Sequence, residues 1–416
     1  MRTLLLLVVL AASTAAAQTP LLLVPDRVFD GETIHDGWGV VVQGDTISAV
    51  GPATSLRMPA GARRIDLPGT TLLPGLIEGH SHVLLHPYDE TGWTDQVLRE
   101  SPAERVARGV MHARASLDAG WTTLRDLGSE GAGYADVGLR DAIDRAGVPG
   151  PRLLVAGPAL VATGSYGPKG FRPDMAVPLG AEEADGPDLV RATRSQIGHG
   201  IDWVKVYADY RWGPRGEALA TYTEAEIRTV VATAAGAGRD VAAHAGTAEA
   251  MRRAVAAGVR TIEHGDGGTL DVWAAMAARG TWLCPTLAAV DAISRYGGWD
   301  GRAPEPARIV QKRAAFQAAL AAGVPMCVGS DVGVFTHGTQ AREIELMVAY
   351  GMPAMDALRA ATSGNARMLR LDDRLGSVQV GHLADLVAVT GDPSRDPSAL
   401  RAVRLVVQSG RVVRDR

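Results

Sequence analysis

Several things are scarce in this sequence, and each scarcity excludes something. Only two of its 416 residues are cysteine, Cys284 and Cys327, too few for a disulfide framework. Both sit in apolar strand-like runs, "TWLCPTL" and "VPMCVGSD", and read as core thiols rather than metal ligands or nucleophiles. Aromatic residues make up 5% against 49 glycines, which favours tightly packed α/β layers over an aromatic-rich binding surface. No basic patch stands out and the formal net charge is −4, so a nucleic-acid partner is excluded. The longest apolar run, Leu4 to Ala12, is too short to span a membrane. No GxGxxG follows the first strand of the α/β region, which argues against an open dinucleotide-binding sheet.

What is present begins with "MRTLLLLVVLAASTAAAQTP". Arg2 supplies a positive n-region, the leucine run an apolar h-region, and Ala15-Ala16-Ala17 a small-residue cleavage site. The reading is a signal peptide cut after Ala17, and hence a secreted or periplasmic protein. The whole chain is 46% hydrophobic and 21% charged, ordinary for a globular enzyme.

The stretch "LLLVPDRVFDGETIHDGWGVVVQGDTISAVGP" alternates short β-rich runs with Asp-Gly, Gly-Trp-Gly and Gly-Asp turns. The far end, "GSVQVGHLADLVAVTGDPSRDP" and "LRAVRLVVQSGRVV", has the same texture. Neither end suffices for a stable sheet alone. The economical arrangement pairs residues 18–74 with 372–416 in one small β-domain. Between them, over 75–371, apolar runs alternate with Ala-rich helical stretches, several ending in Gly. Eight strands are expected, at 75–80, 121–125, 152–156, 203–207, 241–243, 261–263, 281–284 and 326–329. That pattern predicts a (β/α)8 barrel.

Catalytic groups of such a barrel come from the C-terminal ends of its strands. Strand one ends in His80-Ser81-His82, whose i, i+2 spacing aims two imidazoles at one point. Lys205 interrupts an apolar strand four, His244 ends strand five, His264 strand six and Asp331 strand eight. Each has a plainer reading. His244 could be a core histidine on a carbonyl, and Asp331 could cap the following segment. Lys205 is more telling, because a lysine buried in a barrel strand must be neutral, paired or chemically changed. Six such residues at the correct ends of five strands are more than coincidence supplies.

"LPGLIEGHSH", "AGWTTLRDLG", "VKVY", "VAAHA", "TIEHG", "GSDVG", "AATSGNARML" and "GSVQVGHLADLVAV" run in order across nearly the whole chain. In them the chain resembles the amidohydrolase superfamily, in the branch of imidazolonepropionase-like proteins and metal-dependent Xaa-Pro and Xaa-Arg dipeptidases. The resemblance implies a barrel with a composite β-sandwich built from both termini. It implies a carbamylated Lys205 bridging two divalent metals, one held by His80, His82 and Asp331, the other by His244 and His264. Nitrogen and oxygen ligands suit Zn²⁺, with Mn²⁺ or Co²⁺ as alternatives. A water between the ions would attack as hydroxide, and Asp331 would pass its proton to the leaving nitrogen.

The loops after the strands should carry specificity. "YADYRWGPRG" supplies Tyr207, Tyr210 and Arg211, and Arg211 or Arg215 could clamp a substrate carboxylate. The resemblance places His337 near the substrate. Where dipeptidase-like relatives often have Gly-Gly-His after strand three, this chain has "VATGSYGPKGF", with Tyr166 or Lys169 in that place. His86 and His112 read as structural, and Arg125-Asp126 as a structural ion pair. The expected function is hydrolysis of amide bonds in dipeptides or N-acyl amino acids, ochratoxin-type amides included, by a homo-oligomer. Opening of a cyclic amide or lactone is the rival within the superfamily. A mononuclear deaminase is disfavoured by Lys205 and by "HAGT", which lacks an acid three residues after the histidine. A non-catalytic metal-binding scaffold should have lost ligands, and all six are present.

Overall fold

A computed structural model describes residues 18–172 and 174–415. The expected signal peptide, residues 1–17, lies outside the described residues.

The two ends of the chain meet in one mixed sheet of eight strands. Its order is Arg411–Asp415, Val403–Gln408, Leu386–Thr390, Arg63–Pro74, Leu21–Phe29, Trp38–Gln43 and Thr46–Pro52, with Ile34–Asp36 paired to Leu21–Phe29. Leu386 faces Pro74 across an antiparallel ladder, while Leu21–Phe29 runs parallel to Arg63–Pro74. The sheet has its own core, in which Leu23, Val40 and Leu72 pack with Leu386, Leu405 and Val407. Neither end could bury this surface alone, so burial itself selects the pairing.

The strand Arg63–Pro74 leads directly into Leu76–Ser81, the first of a set of parallel strands. Trp121–Asp126 and Arg152–Val155 follow it in one group. Glu182–Glu183, Leu160–Val161, Trp203–Tyr207, Asp240–Ala245, Thr261–His264 and Trp282–Cys284 form the other. Helices Pro102–Asp118, Glu224–Ala235, Ala248–Ala257 and Leu270–Arg279 connect them. Ser101 caps the first of these, Thr223 and Glu226 form a capping box on the second, and left-handed Gly258 and Gly280 end the last two. This is a TIM-barrel-like α/β fold.

Two expectations need correction. The eighth strand, 326–329, is not a regular ladder; it meets its neighbours through single parallel bridges, Leu283 to Met326 and Ser81 to Val332. Side chains take the backbone groups a ladder would use. Asn365 Nδ2 donates to the carbonyls of Ile77 and Val328 at 2.7 Å, and Ser330 N donates to Glu78 Oε1 at 2.8 Å. The cysteines are not free thiols: Cys284 and Cys327 form a disulfide. Sequence context placed both in the core correctly, but their strands lie side by side only in three dimensions, where Cys327 N donates to Leu283 O at 2.9 Å. A short antiparallel hairpin, Asp209–Arg211 with Ala218–Ala220, also rises from the loop after Trp203–Tyr207.

Candidate metal centre

His80 lies in the strand Leu76–Ser81, and His82 follows one residue beyond it. Their Nε2 atoms are 3.3 Å apart. Asp331 Oδ1 lies 3.3 Å from His82 Nε2 and 3.6 Å from His80 Nε2. These three ligand atoms fall within 4.8 Å of one another, and no other such trio of His, Cys, Asp or Glu occurs among the described residues. Asp331 reaches this point because its backbone is left-handed, at φ 63°. Its N–H donates to the His80 carbonyl at 2.8 Å.

The outer nitrogens of the histidines are occupied. His80 Nδ1 meets Glu263 Oε2 at 2.8 Å, His82 Nδ1 the Gly128 carbonyl at 3.0 Å, and His264 Nδ1 Thr286 Oγ1 at 2.9 Å. Such bonds orient each ring and leave Nε2 for a metal. His244 is turned the other way. Its Nε2 lies 3.5 Å from Asp209 Oδ1, its ring centroid 4.4 Å from that of His264, and Nδ1 is left available. Asp209 is itself fixed by the N–H groups of Gly246 and Thr247, at 2.9 and 2.6 Å.

Electrostatics suit a cation. Burial, seconded by the Lys205 ammonium, pushes His80 down to about 4. Burial likewise lowers His244 to about 4 and His264 well below its ordinary value, so these rings are neutral, as ligation requires. Burial opposes a charge on His82, but its bond to Asp331, with Glu130 and Asp126 nearby, raises it to about 9. The pocket beside Asp331 therefore stabilises positive charge.

Lys205, on the strand Trp203–Tyr207, is 1% exposed. Its Nζ sits 5.5 Å from the Tyr207 ring centroid and has no hydrogen-bond partner among the described residues. Burial pushes its pKa down, against the pull of Glu263 and Asp331. An ammonium without acceptors in such a place is costly, and a neutral amine is free to react.

Above these residues opens a cavity of about 740 Å³, within the usual range for small-molecule sites. His80, His82, His244, His264 and Asp331 line it, as do Tyr166, Lys169, Tyr207, Tyr210 and Arg211. Among the described residues, four of the six non-glycine residues with positive φ belong to this region, namely Glu130, His264, Thr286 and Asp331, and such strain concentrates at functional sites. A larger cleft of about 1400 Å³ elsewhere carries none of the expected ligands.

Other expectations resolve differently. His337 does not line the cavity. Its Nε2 meets the Leu85 carbonyl at 3.0 Å and its ring stacks on His112 at 4.3 Å, so it braces a loop instead of facing a substrate. Arg215 is also outside; its N–H donates to Glu217 Oε2 at 2.8 Å. His86 is buried against Glu100 at 2.8 Å, and His112 Nδ1–H donates to the Val83 carbonyl at 2.9 Å. Arg125 and Asp126 do not pair, since adjacent strand residues point to opposite faces. Arg125 instead bonds Glu263 Oε1 at 3.0 Å, and Asp126 accepts from Val83 N at 2.6 Å.

Sequence reading missed Glu263, Asp209 and Glu130. Glu263 had a signal, an acid inside an apolar strand next to His264. Glu130, in "LGSEGAGY" after the second strand, accepts from Trp93 Nε1 at 2.9 Å and from Tyr166 OH at 2.7 Å; only its place at a strand's C-terminal rim could have flagged it.

A TIM-barrel-like fold with imidazoles, a carboxylate and a buried lysine at one rim defines the class of hydrolytic enzymes with a metal-compatible centre. The model of the amidohydrolase family matches residues 71–413, and the chain belongs to that family. It is a hydrolase acting on C–N bonds. A crystal structure of a Xaa-Pro dipeptidase with methionine in its active site is similar at 31% identity and a TM-score of 0.85, covering 95% of this chain and 99% of that one. A prolidase complexed with N-methylphosphonate-L-proline matches at 30% identity and a TM-score of 0.84, over 96% and 100% of the two chains. Ochratoxinase of Aspergillus niger is 29% identical over 88% of this chain and 80% of its own length.

Proposed function

We propose that this protein is a binuclear metal-dependent hydrolase of amide bonds in dipeptides or N-acyl amino acids. One observation carries the reading: Lys205, buried and without a hydrogen-bond acceptor among the described residues, lies within electrostatic reach of His80, His244, His264 and Asp331. Carbamylation by CO₂ converts that lysine into an anion. His80, His82 and Asp331 would hold one ion, His244 and His264 the other, and carbamylated Lys205 both. Without the carbamate, the two neutral imidazoles of His244 and His264 would have no anionic ligand shared with the first ion. Zn²⁺ suits this nitrogen and oxygen set best.

The chemistry supplied by two bound dications is Lewis acidity, which eases loss of a proton from water and polarises the scissile carbonyl. The side chains do the rest. Asp331 accepts the proton of the attacking water and delivers it to the leaving nitrogen as the C–N bond breaks. Tyr207, Tyr210, Tyr166 and Arg211 would hold the substrate, with Arg211 facing a carboxylate. The relatives whose names specify Xaa-Pro dipeptides and ochratoxin support the linear-amide class.

The same reading includes a (β/α)8 barrel over 75–371 and a composite β-sandwich from 18–74 and 372–416. It also includes export after cleavage at Ala17, to the periplasm or outside the cell, and a homo-oligomeric state. Among the described residues, no helix is long and apolar enough to cross a membrane.

The test is mass spectrometry of a substrate panel incubated with metal-loaded enzyme, with and without chelator, beside metal analysis of wild type and Lys205→Ala. Two fragments from a linear amide, two ions per wild-type chain and fewer in the variant are expected. Water added to an intact ring would move the assignment to cyclic amide or lactone opening.

A further inference from the structure

The cavity wall holds a buried carboxylate that hydrolysis does not use. Glu130 is 3% exposed and lines the cavity. Its Oε2 is satisfied by Trp93 Nε1 and Tyr166 OH. Its Oε1 receives only Tyr207 OH, at 3.5 Å, a weak bond for an oxygen with two lone pairs. No Lys, Arg or His among the described residues forms an ion pair with it. Arg105 approaches the same loop but spends its donors on the carbonyls of Leu84, Ser129 and Glu130. A buried anion with spare acceptor capacity is expensive unless a cation completes it.

Its surroundings favour an organic cation. The rings of Trp93, Tyr166, Tyr207 and Tyr210 cluster about the carboxylate, with Tyr166 centroids 5.4 Å from Trp93 and 4.6 Å from each of the other two. The rings meet Glu130 through their N–H and O–H edges, so they fix the carboxylate in a wall of low polarity, where an ammonium gains most from a charge-assisted bond to Oε1. The site also lies close to the reacting centre. A Cβ built on Gly128 would fall 3.0 Å from Glu130 Oε1 and 3.4 Å from His82 Cε1. A cation held there would lie beside His82, within the same cavity as the candidate metal ligands, a short reach that suits an α-ammonium next to the reacting carbonyl.

We propose that Glu130 is a specificity-determining residue that binds the free α-ammonium of the substrate, so that the enzyme takes dipeptides with an unblocked amino terminus in preference to N-acyl amino acids. This rests on the reading of the cavity as an amide-hydrolysing site, and it narrows that reading to one substrate class. Glu130 holds the substrate; the proton transfers remain with Asp331.

The test separates the two claims by measuring binding as well as turnover. A dipeptide analogue with phosphinate in place of the scissile amide is titrated calorimetrically into the metal-loaded enzyme, once with its amino group free and once N-acetylated. The free amine is expected to bind about tenfold tighter or better, equivalent to a single lost charge-assisted contact. Glu130→Gln, checked for metal content and melting temperature, should erase that difference, and Glu130→Asp should restore part of it. Equal or tighter binding of the N-acetyl form to wild type overturns the proposal without needing any variant. A preference that persists in folded Glu130→Gln overturns the assignment to Glu130. If the amine preference holds but no linear amide is cleaved, the ammonium site stands and the linear-amide reading falls.

Discussion

His80 Nδ1 and Glu263 Oε2 meet at 2.8 Å inside the parallel strands, although 183 residues separate them in the chain. Burial opposes a charge on Glu263, yet the Arg125 guanidinium, His80 and Lys205 hold it down to about 2. It is therefore ionised at any ordinary pH and locks the His80 ring with Nε2 facing Asp331. Removing an outer partner of a ligating histidine weakens metal binding by about 10–100-fold. Glu263→Gln should show a loss of that size in competition titration against a chelator. Unchanged affinity would mean that His80 needs no such anchor.

Gly79 precedes His80 where the chain has no room for a side chain. An added Cβ would lie 2.3 Å from Cys327 Sγ and 2.9 Å from the Val328 carbonyl. Overpacking of this kind costs about 1–3 kcal/mol. Gly79→Ala should lower the melting temperature and also reduce metal content, because the displaced strand carries His80. A variant that melts and binds metal like wild type would show that the strands yield at no cost.

The Cys284–Cys327 bond closes a sequence separation of 43 residues. A cross-link of that span stabilises by about 2–4 kcal/mol, chiefly by restricting the unfolded chain. Thiol titration of the unfolded, unreduced protein should find no free cysteine. Cys284→Ala combined with Cys327→Ala should unfold at lower denaturant concentration with an m-value equal to or larger than wild type, since the unfolded chain is less restricted. Two titratable thiols in the native preparation would rule the bond out.

Glu343 accepts from the N–H groups of Leu287 and Ala288 at 3.0 and 2.7 Å, at the start of the helix Leu287–Tyr296. Burial nonetheless raises its carboxyl to about 7, against those two bonds and Lys312. A carboxyl whose folded value is raised contributes fully below about 4.5 and loses that contribution as pH climbs through about 7. Glu343→Gln cannot ionise. Its melting temperature relative to wild type should rise between about pH 4.5 and 7 and then level off. A difference that stays flat, or falls, across that window would contradict the raised value.

Local pattern was enough for much of this protein. The alternation of apolar runs with Ala-rich, Gly-terminated stretches announced the α/β region, and helices such as Ala248–Ala257 and Leu270–Arg279 are Ala-rich and end at Gly258 and Gly280. His80, His82, His244, His264 and Asp331 were legible because each sits at the end of an apolar run, and they do line one cavity. Lys205 was legible because its charge violates the burial pattern around it. These are one-dimensional signals, carried by period, composition and chemical incongruity.

Contacts between distant segments left no such trace, because they depend on which strands become neighbours. The disulfide follows from the side-by-side placement of Trp282–Cys284 and residues 326–329. The pairing of Arg125 with Glu263, instead of with adjacent Asp126, follows from the direction in which each side chain leaves its strand. His337 turned away from the cavity, its ring stacked on His112 and its Nε2 on the Leu85 carbonyl, contacts between segments that the sequence does not place together. Glu130 became a candidate binding group only when a left-handed turn swung it among Trp93, Tyr166 and Tyr207. Residue order determined which groups stand at the strand ends. The closure of those strands on one another decided which of them share a charge, a proton or a ligand, since electrostatic and hydrogen-bond energies act over a few ångströms of space and not along the chain.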